Sequence, residues 1–132
     1  MKNDKLFDEI YTKAYQAGVE AGTNCIPTPM VVGHETSLLS GKLDTSRPVE
    51  VVNDGVCGFA WINIKPANSA FANYLRRKGY GRTDSYYGGL SVWVHEFGQS
   101  YQRKVKFAGA FAEVIRNEIP KLKDVWVGSR ED

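Results

Sequence analysis

His95 and Glu96 are adjacent, and Asp84-Ser85 lies eleven residues upstream of His95, so the side chains of an acid–base or hydrolytic site are all present. Their spacing argues against a simple dyad. His95 and Glu96 fall on a stretch that alternates like a strand, so neighbouring side chains leave by opposite faces. Asp84 and Ser85 reach His95 only if their loop folds back over the strand. No GxSxG elbow is present. A packed, hydrogen-bonded histidine beside Trp93 and Phe97 is the simpler reading of His95. A small hydrolase-like enzyme using His95 or Asp84 is a third reading of the chain.

Anion chemistry is better represented. Between Arg76 and Lys106 lie seven basic residues (Arg76, Arg77, Lys78, Arg82, Arg103, Lys104, Lys106) and two acidic ones (Asp84, Glu96), in a chain whose formal net charge is only +2. Gly98-Gln99-Ser100 leads into a helix, whose first N–H groups lack internal partners and attract anions. Arg103 and Lys104 stand one turn further on. Tyr86 and Tyr87, with Tyr80 nearby, could stack on a base while Arg82 meets a phosphate. The candidate ligand-binding set is therefore Arg82, Tyr86, Tyr87, Gln99, Ser100, Arg103 and Lys104. Simple structural roles compete with it. Ser100 is a good helix cap, Tyr86-Tyr87-Gly88-Gly89 a good turn, and Arg76-Arg77-Lys78 suits a helix C-terminus. The glycine pattern is neither a Walker loop nor a dinucleotide fingerprint. No cofactor is expected.

Cys25, Cys57, His34 and His95 could in principle supply four zinc ligands, but no two of them have CxxC or HxxxH spacing. No metal is expected, and Cys57 beside Phe59 and Trp61 reads as a small core residue. The two cysteines are expected to be free thiols.

These residues need a frame. At 132 residues, with 42% apolar and 24% charged residues, the chain suits one ordinary globular domain. It has no apolar run of membrane-spanning length and no secretory leader pattern, so a cytoplasmic protein with no membrane partner is expected. A first helix is predicted from Asn3 or Asp4 to about Gly22, carrying Leu6, Phe7, Ile10, Tyr11, Ala14 and Tyr15 at helical spacing. Short strands follow at 30–32 and 49–52, separated by a polar stretch (34–48) expected to be a mobile loop. Val51-Val52, Asn53-Asp54-Gly55 and Val56 read as a hairpin. Val56–Ile64 is apolar on both faces, which predicts a central strand. A second helix is expected from the Asn68 or Ser69 cap to Lys78, then a strand from Leu90 to Phe97. A third helix should run from Ser100 to about Asn117, then a short strand (125–127) and a polar tail (128–132). Trp61, Trp93 and Trp126 all fall on predicted strands. The expected fold is α+β in the order α-β-β-β-α-β-α-β. It is a single domain, with a four- or five-stranded mixed or antiparallel sheet and about three helices packed on it.

The series Val56-Cys57-Gly58-Phe59-Ala60-Trp61-Ile62-Asn63-Ile64-Lys65-Pro66, with Asp84-Ser85-Tyr86-Tyr87-Gly88-Gly89, Trp93-Val94, Phe97-Gly98-Gln99-Ser100, Arg103-Lys104, Ala110-Phe111-Ala112-Glu113-Val114, Gly128-Ser129-Arg130 and Asp132, resembles a family of small uncharacterised phage and prophage proteins. The likeness covers roughly residues 50 to 132. It implies a protein made inside an infected bacterium, located in the host cytoplasm and acting by binding, and it carries over no site residue. Two readings then lead. One is a phage accessory protein that binds a phosphate-bearing ligand, a nucleotide or nucleic acid, at the basic, tyrosine-rich region. The alternative is a protein-interaction module, a host-protein inhibitor or virion-associated component, whose partner is a host protein or a second copy of the chain.

Overall fold

The computed structural model describes residues 3–32, 50–52 and 54–132. The 34–48 stretch lies outside the described residues. Three helices are described: α1 (Asp4–Asn24), α2 (Ala70–Lys78) and α3 (Tyr101–Glu118). On α1, Phe7, Ile10, Ala14, Gly18 and Gly22 are buried, a spacing of three and four that lines one face of a 3.6-residue helix. Ser69 caps α2 by accepting a hydrogen bond from the Ala72 amide, and Gly79, at φ 76°, ends it in the left-handed conformation. Ser100 caps α3 in the same way, accepting from the Arg103 amide.

The strands are β1 (Met30–Val32), β2 (Glu50–Val52), β3 (Gly58–Lys65), β4 (Arg82–Thr83), β5 (Leu90–Trp93) and β6 (Asp124–Glu131). β1 and β2 pair with each other, antiparallel, as a separate two-stranded sheet. The main sheet has the order β4-β5-β3-β6, antiparallel throughout. Ala60, Ile62 and Ile64 of β3, Leu90 and Val92 of β5, Val94 just beyond it and Val125 of β6 join Phe71, Tyr74, Leu75, Phe107, Phe111 and Ile115 of the helices in one buried cluster. All three helices therefore lie on one face of the sheet. Each fully buried large side chain there contributes roughly 1.5–3 kcal/mol.

The α+β class, single domain and element order are as expected, with β4 as an added short strand. Four local expectations change. β2 pairs with β1, and among the described residues it has no pairing with β3, in place of the hairpin expected over 51–56. β5 stops at Trp93, short of the expected Phe97, which at φ 66° turns its ring back against Phe107 and over Gly22. Gly22 is thus a seat and not a helix stop: a Cβ there would lie 2.3 Å from the Phe97 ring, and α1 continues to Asn24. Finally, β6 pairs with β3 through Glu131, so the polar residues 128–131 belong to the sheet.

Candidate functional site

The other face of the sheet carries the odd-numbered residues of β3, and they are aromatic or polar. The Val94 amide donates to the Ala60 carbonyl, so Ala60, Ile62 and Ile64 exchange hydrogen bonds with β5. Trp61 and Trp93 are then a non-hydrogen-bonded pair, the geometry that brings cross-strand side chains closest. Their rings stack with centroids 4.7 Å apart and planes 29° from parallel. On the β6 side Trp61 faces Gly128, whose missing Cβ makes room for the indole. Tyr87 covers Trp61 at 6.4 Å and meets Trp126 edge-on at 5.3 Å, with Tyr86 edge-on to Tyr87. Phe59 lies edge-on to Trp93, with the Arg130 guanidinium 5.3 Å and the Lys104 ammonium 5.7 Å from its ring centre. Trp61 is buried, yet Trp93 is 42% exposed, Tyr87 47% and Tyr86 84%.

The β4–β5 loop that presents the tyrosines is held from below. Asp84 accepts hydrogen bonds from the Tyr86 and Tyr87 amides and from the Ser91 hydroxyl. The Tyr87 amide is the main cause of a carboxyl held below its ordinary range; burial opposes it, and the Ser91 hydroxyl and Tyr86 amide assist. Asn63, wholly buried, donates to the Gly88 carbonyl at 2.8 Å and to Ser91 Oγ at 3.2 Å. Gly89, at φ 69°, sits so close to Asn63 Oδ1 and the Ile64 carbonyl that no side chain fits. Two buried atoms of this layer, Trp61 Nε1 and Asn63 Oδ1, have no hydrogen-bond partner among the described residues.

Beside the aromatic stack, where β5 runs past the two-residue β4, a cleft of about 350 Å³ is lined by Gly79, Tyr80, Gly81, Arg82, Ser91, Trp93 and His95. Arg82 is exposed, and among the described residues no hydrogen bond or ion pair occupies its guanidinium. The larger groove, about 670 Å³, is apolar and lies elsewhere, among Leu6, Phe7, Ile10, Phe71, Ile119 and Leu122.

The sequence-derived candidates divide. Tyr86 and Tyr87 lie on the aromatic face, and Arg82 lines the neighbouring cleft with Trp93 and His95. Gln99, Ser100 and Arg103 lie at another place. Ser100 is buried and donates to the Asp54 carbonyl. Gln99 is exposed, and its carbonyl accepts from the Gly58 amide. Arg103 donates to the carbonyls of Gly22 and Thr23, the last turn of α1, and pairs with Asp54. Lys104 is buried with its ammonium over Phe59. The basic cluster is also partly neutralised: Arg77 pairs with Asp4, and Lys78 with Asp8. Asp84 is engaged by the loop amides and Ser91, and among the described residues no hydrogen bond joins it to His95. Glu96 is tied to Tyr15, whose hydroxyl pKa that bond raises. Both cysteines are free thiols. His34 lies outside the described residues, among which no group of three or more His, Cys, Asp or Glu is placed to hold a metal.

Phe59, Trp61, Trp93, Trp126 and Arg130 were missed as a group. Their signal was available in the odd-numbered alternation of β3 and β5, but an apolar second face reads equally well as a face buried under another layer. No family model, curated protein or solved structure matches the chain.

Proposed function

We propose that this aromatic sheet face binds a phosphate-bearing ligand with stackable bases, best fitted by a single strand of nucleic acid. The observation that carries the reading is the Trp61–Trp93 stack with Trp93 left 42% exposed beside the unpaired Arg82. Every base has a π-face, so an open aromatic sheet binds bases with little sequence preference, while flanking cations meet the backbone. Trp93 and Tyr87 supply stacking surface, and Arg82 the phosphate contact. Trp61 supports them from beneath.

The test is titration of fluorescently labelled single-stranded oligonucleotides against the protein, Trp93→Ala and Arg82→Ala. Base stacking contributes about 1–3 kcal/mol per base, so Trp93→Ala should weaken binding roughly 5- to 150-fold. Arg82→Ala should weaken it and flatten its salt dependence. Binding that survives both substitutions unchanged refutes the reading. A protein-interaction module is the second reading, favoured by the apolar groove beside Leu6, which is 54% exposed. Partner capture lost on Leu6→Asp, with oligonucleotide binding absent, would select it.

A further inference from the structure

We propose that β6 is an assembly edge, pairing antiparallel with β6 of a second copy about Val127 to make one continuous eight-stranded sheet. The inference does not depend on the ligand reading. The Asp132 amide donates to the Cys57 carbonyl at the end of the β3–β6 ladder. Hydrogen-bonded pairs alternate along an antiparallel ladder, so 59/130, 61/128, 63/126 and 65/124 are the bonded pairs. The amides and carbonyls of Val125, Val127, Ser129 and Glu131 therefore point away from β3. The Arg116 Nε–H bond to the Val125 carbonyl, at 2.8 Å, agrees with this. Among the described residues no other bond reaches the backbone of that edge; the Ser129 hydroxyl meets the Tyr101 hydroxyl at 2.9 Å.

Exposed edges are ordinarily guarded by a short strand, proline, a bulge or inward charge. The opposite edge, β4, is two residues long. β6 is eight residues long, has no proline, and keeps an unbroken one-to-one register with β3. Its charges select the occupant. Centring two antiparallel copies on Val127 sets Asp124 opposite Arg130 of the second copy and, by symmetry, Arg130 opposite its Asp124, two pairs of opposite charge. Both residues are exposed, and neither has an ion-pair partner among the described residues. Centring on Gly128 would instead set Asp124 against Asp132, a destabilising like-charge pair. Opposed residues share a face, so Trp126 would lie beside Gly128 of the second copy, and the two aromatic faces would join on the same side of the sheet.

Sedimentation equilibrium of the protein, Ser129→Pro, Asp124→Arg, Arg130→Asp and the double charge swap tests this, together with amide hydrogen exchange. Ser129 is exposed and its N–H points outward, so proline there removes no bond to β3. The expected result is a mass twice the 14.7 kDa of the chain, with the Ser129 amide protected. Ser129→Pro and each single charge reversal should weaken association on the order of tenfold or more, and Asp124→Arg with Arg130→Asp should restore it. A single-chain mass for the unmodified protein overturns the proposal. So does a dimer whose Ser129 amide exchanges freely, or a charge swap that fails to restore pairing.

Discussion

Gly128 is where the aromatic face is most sensitive. A Cβ there would lie 2.3 Å from the Trp61 indole, and the nearest atoms belong to a ring already packed between Trp93 and Tyr87. Gly128→Ala should cost about 1–3 kcal/mol of stability through overpacking, measured by urea unfolding. It should also disturb the Trp93 stack, seen in near-ultraviolet circular dichroism. Asp84 is the second sensitive position. Its pKa is lowered from 3.8, so its contribution to loop order is complete above the ordinary aspartate range. That contribution is lost only as pH falls through the lower folded value. Asp84→Asn should loosen the Tyr86–Tyr87 loop at neutral pH and raise Trp61 exposure to a fluorescence quencher. The unmodified protein should show that change only in acid. Gly128 reads as tail because its role depends on Trp61, distant in sequence, whereas Asp84 reads as a possible catalytic acid although its partners, the Tyr86 and Tyr87 amides and the Ser91 hydroxyl, are local.

At the scale of elements, the join between α1 and α3 decides what Arg103 does. Carbonyls in the last turn of a helix lack intrahelical donors. Arg103, one turn into α3, supplies them to Gly22 and Thr23 while pairing with Asp54. Arg103→Ala should therefore destabilise the fold by about 1–3 kcal/mol, with α1 amides near Thr23 losing protection first in hydrogen exchange. Oligonucleotide binding by the folded fraction should be unaffected. The sequence marks Arg103 and Ser100 equally well as an anion site. The capping role of Ser100 needs only residues 100–103 and is readable locally, whereas the partner of Arg103 is some eighty residues away. Glycine has the same ambiguity: Gly18 and Gly22 look like helix weakeners, yet Phe107 and Phe97 pack onto them.

Across the whole molecule, one helical layer closes one face of the sheet, and the other face is finished with the chain's own aromatic rings. Phe111 sits at the centre of the helical layer, meeting Tyr11 edge-on and Phe107 in a stack. Burial, with Tyr80 alongside, raises the Tyr11 hydroxyl to about 12. Phe111→Ala should cost about 3–5 kcal/mol in thermal or chemical unfolding. Trp93→Ala, on the half-open face, should cost far less stability while reducing binding.

Helical spacing, cap residues and alternation are local properties, and they were sufficient for the α+β class, the three helices and the order of elements. The α2 boundaries, Ser69 to Gly79, could be read almost residue by residue, because both caps act within one turn. Strand pairing depends on contacts between distant segments, and so does the choice of which apolar face meets helices and which meets solvent. Only the tertiary structure joined β2 to β1, extended β6 through the polar end of the chain, and gathered Phe59, Trp61, Trp93 and Trp126 on one surface. It also separated Arg82 from Arg103, because a charge pattern in sequence does not record which cations a folded neighbour will occupy.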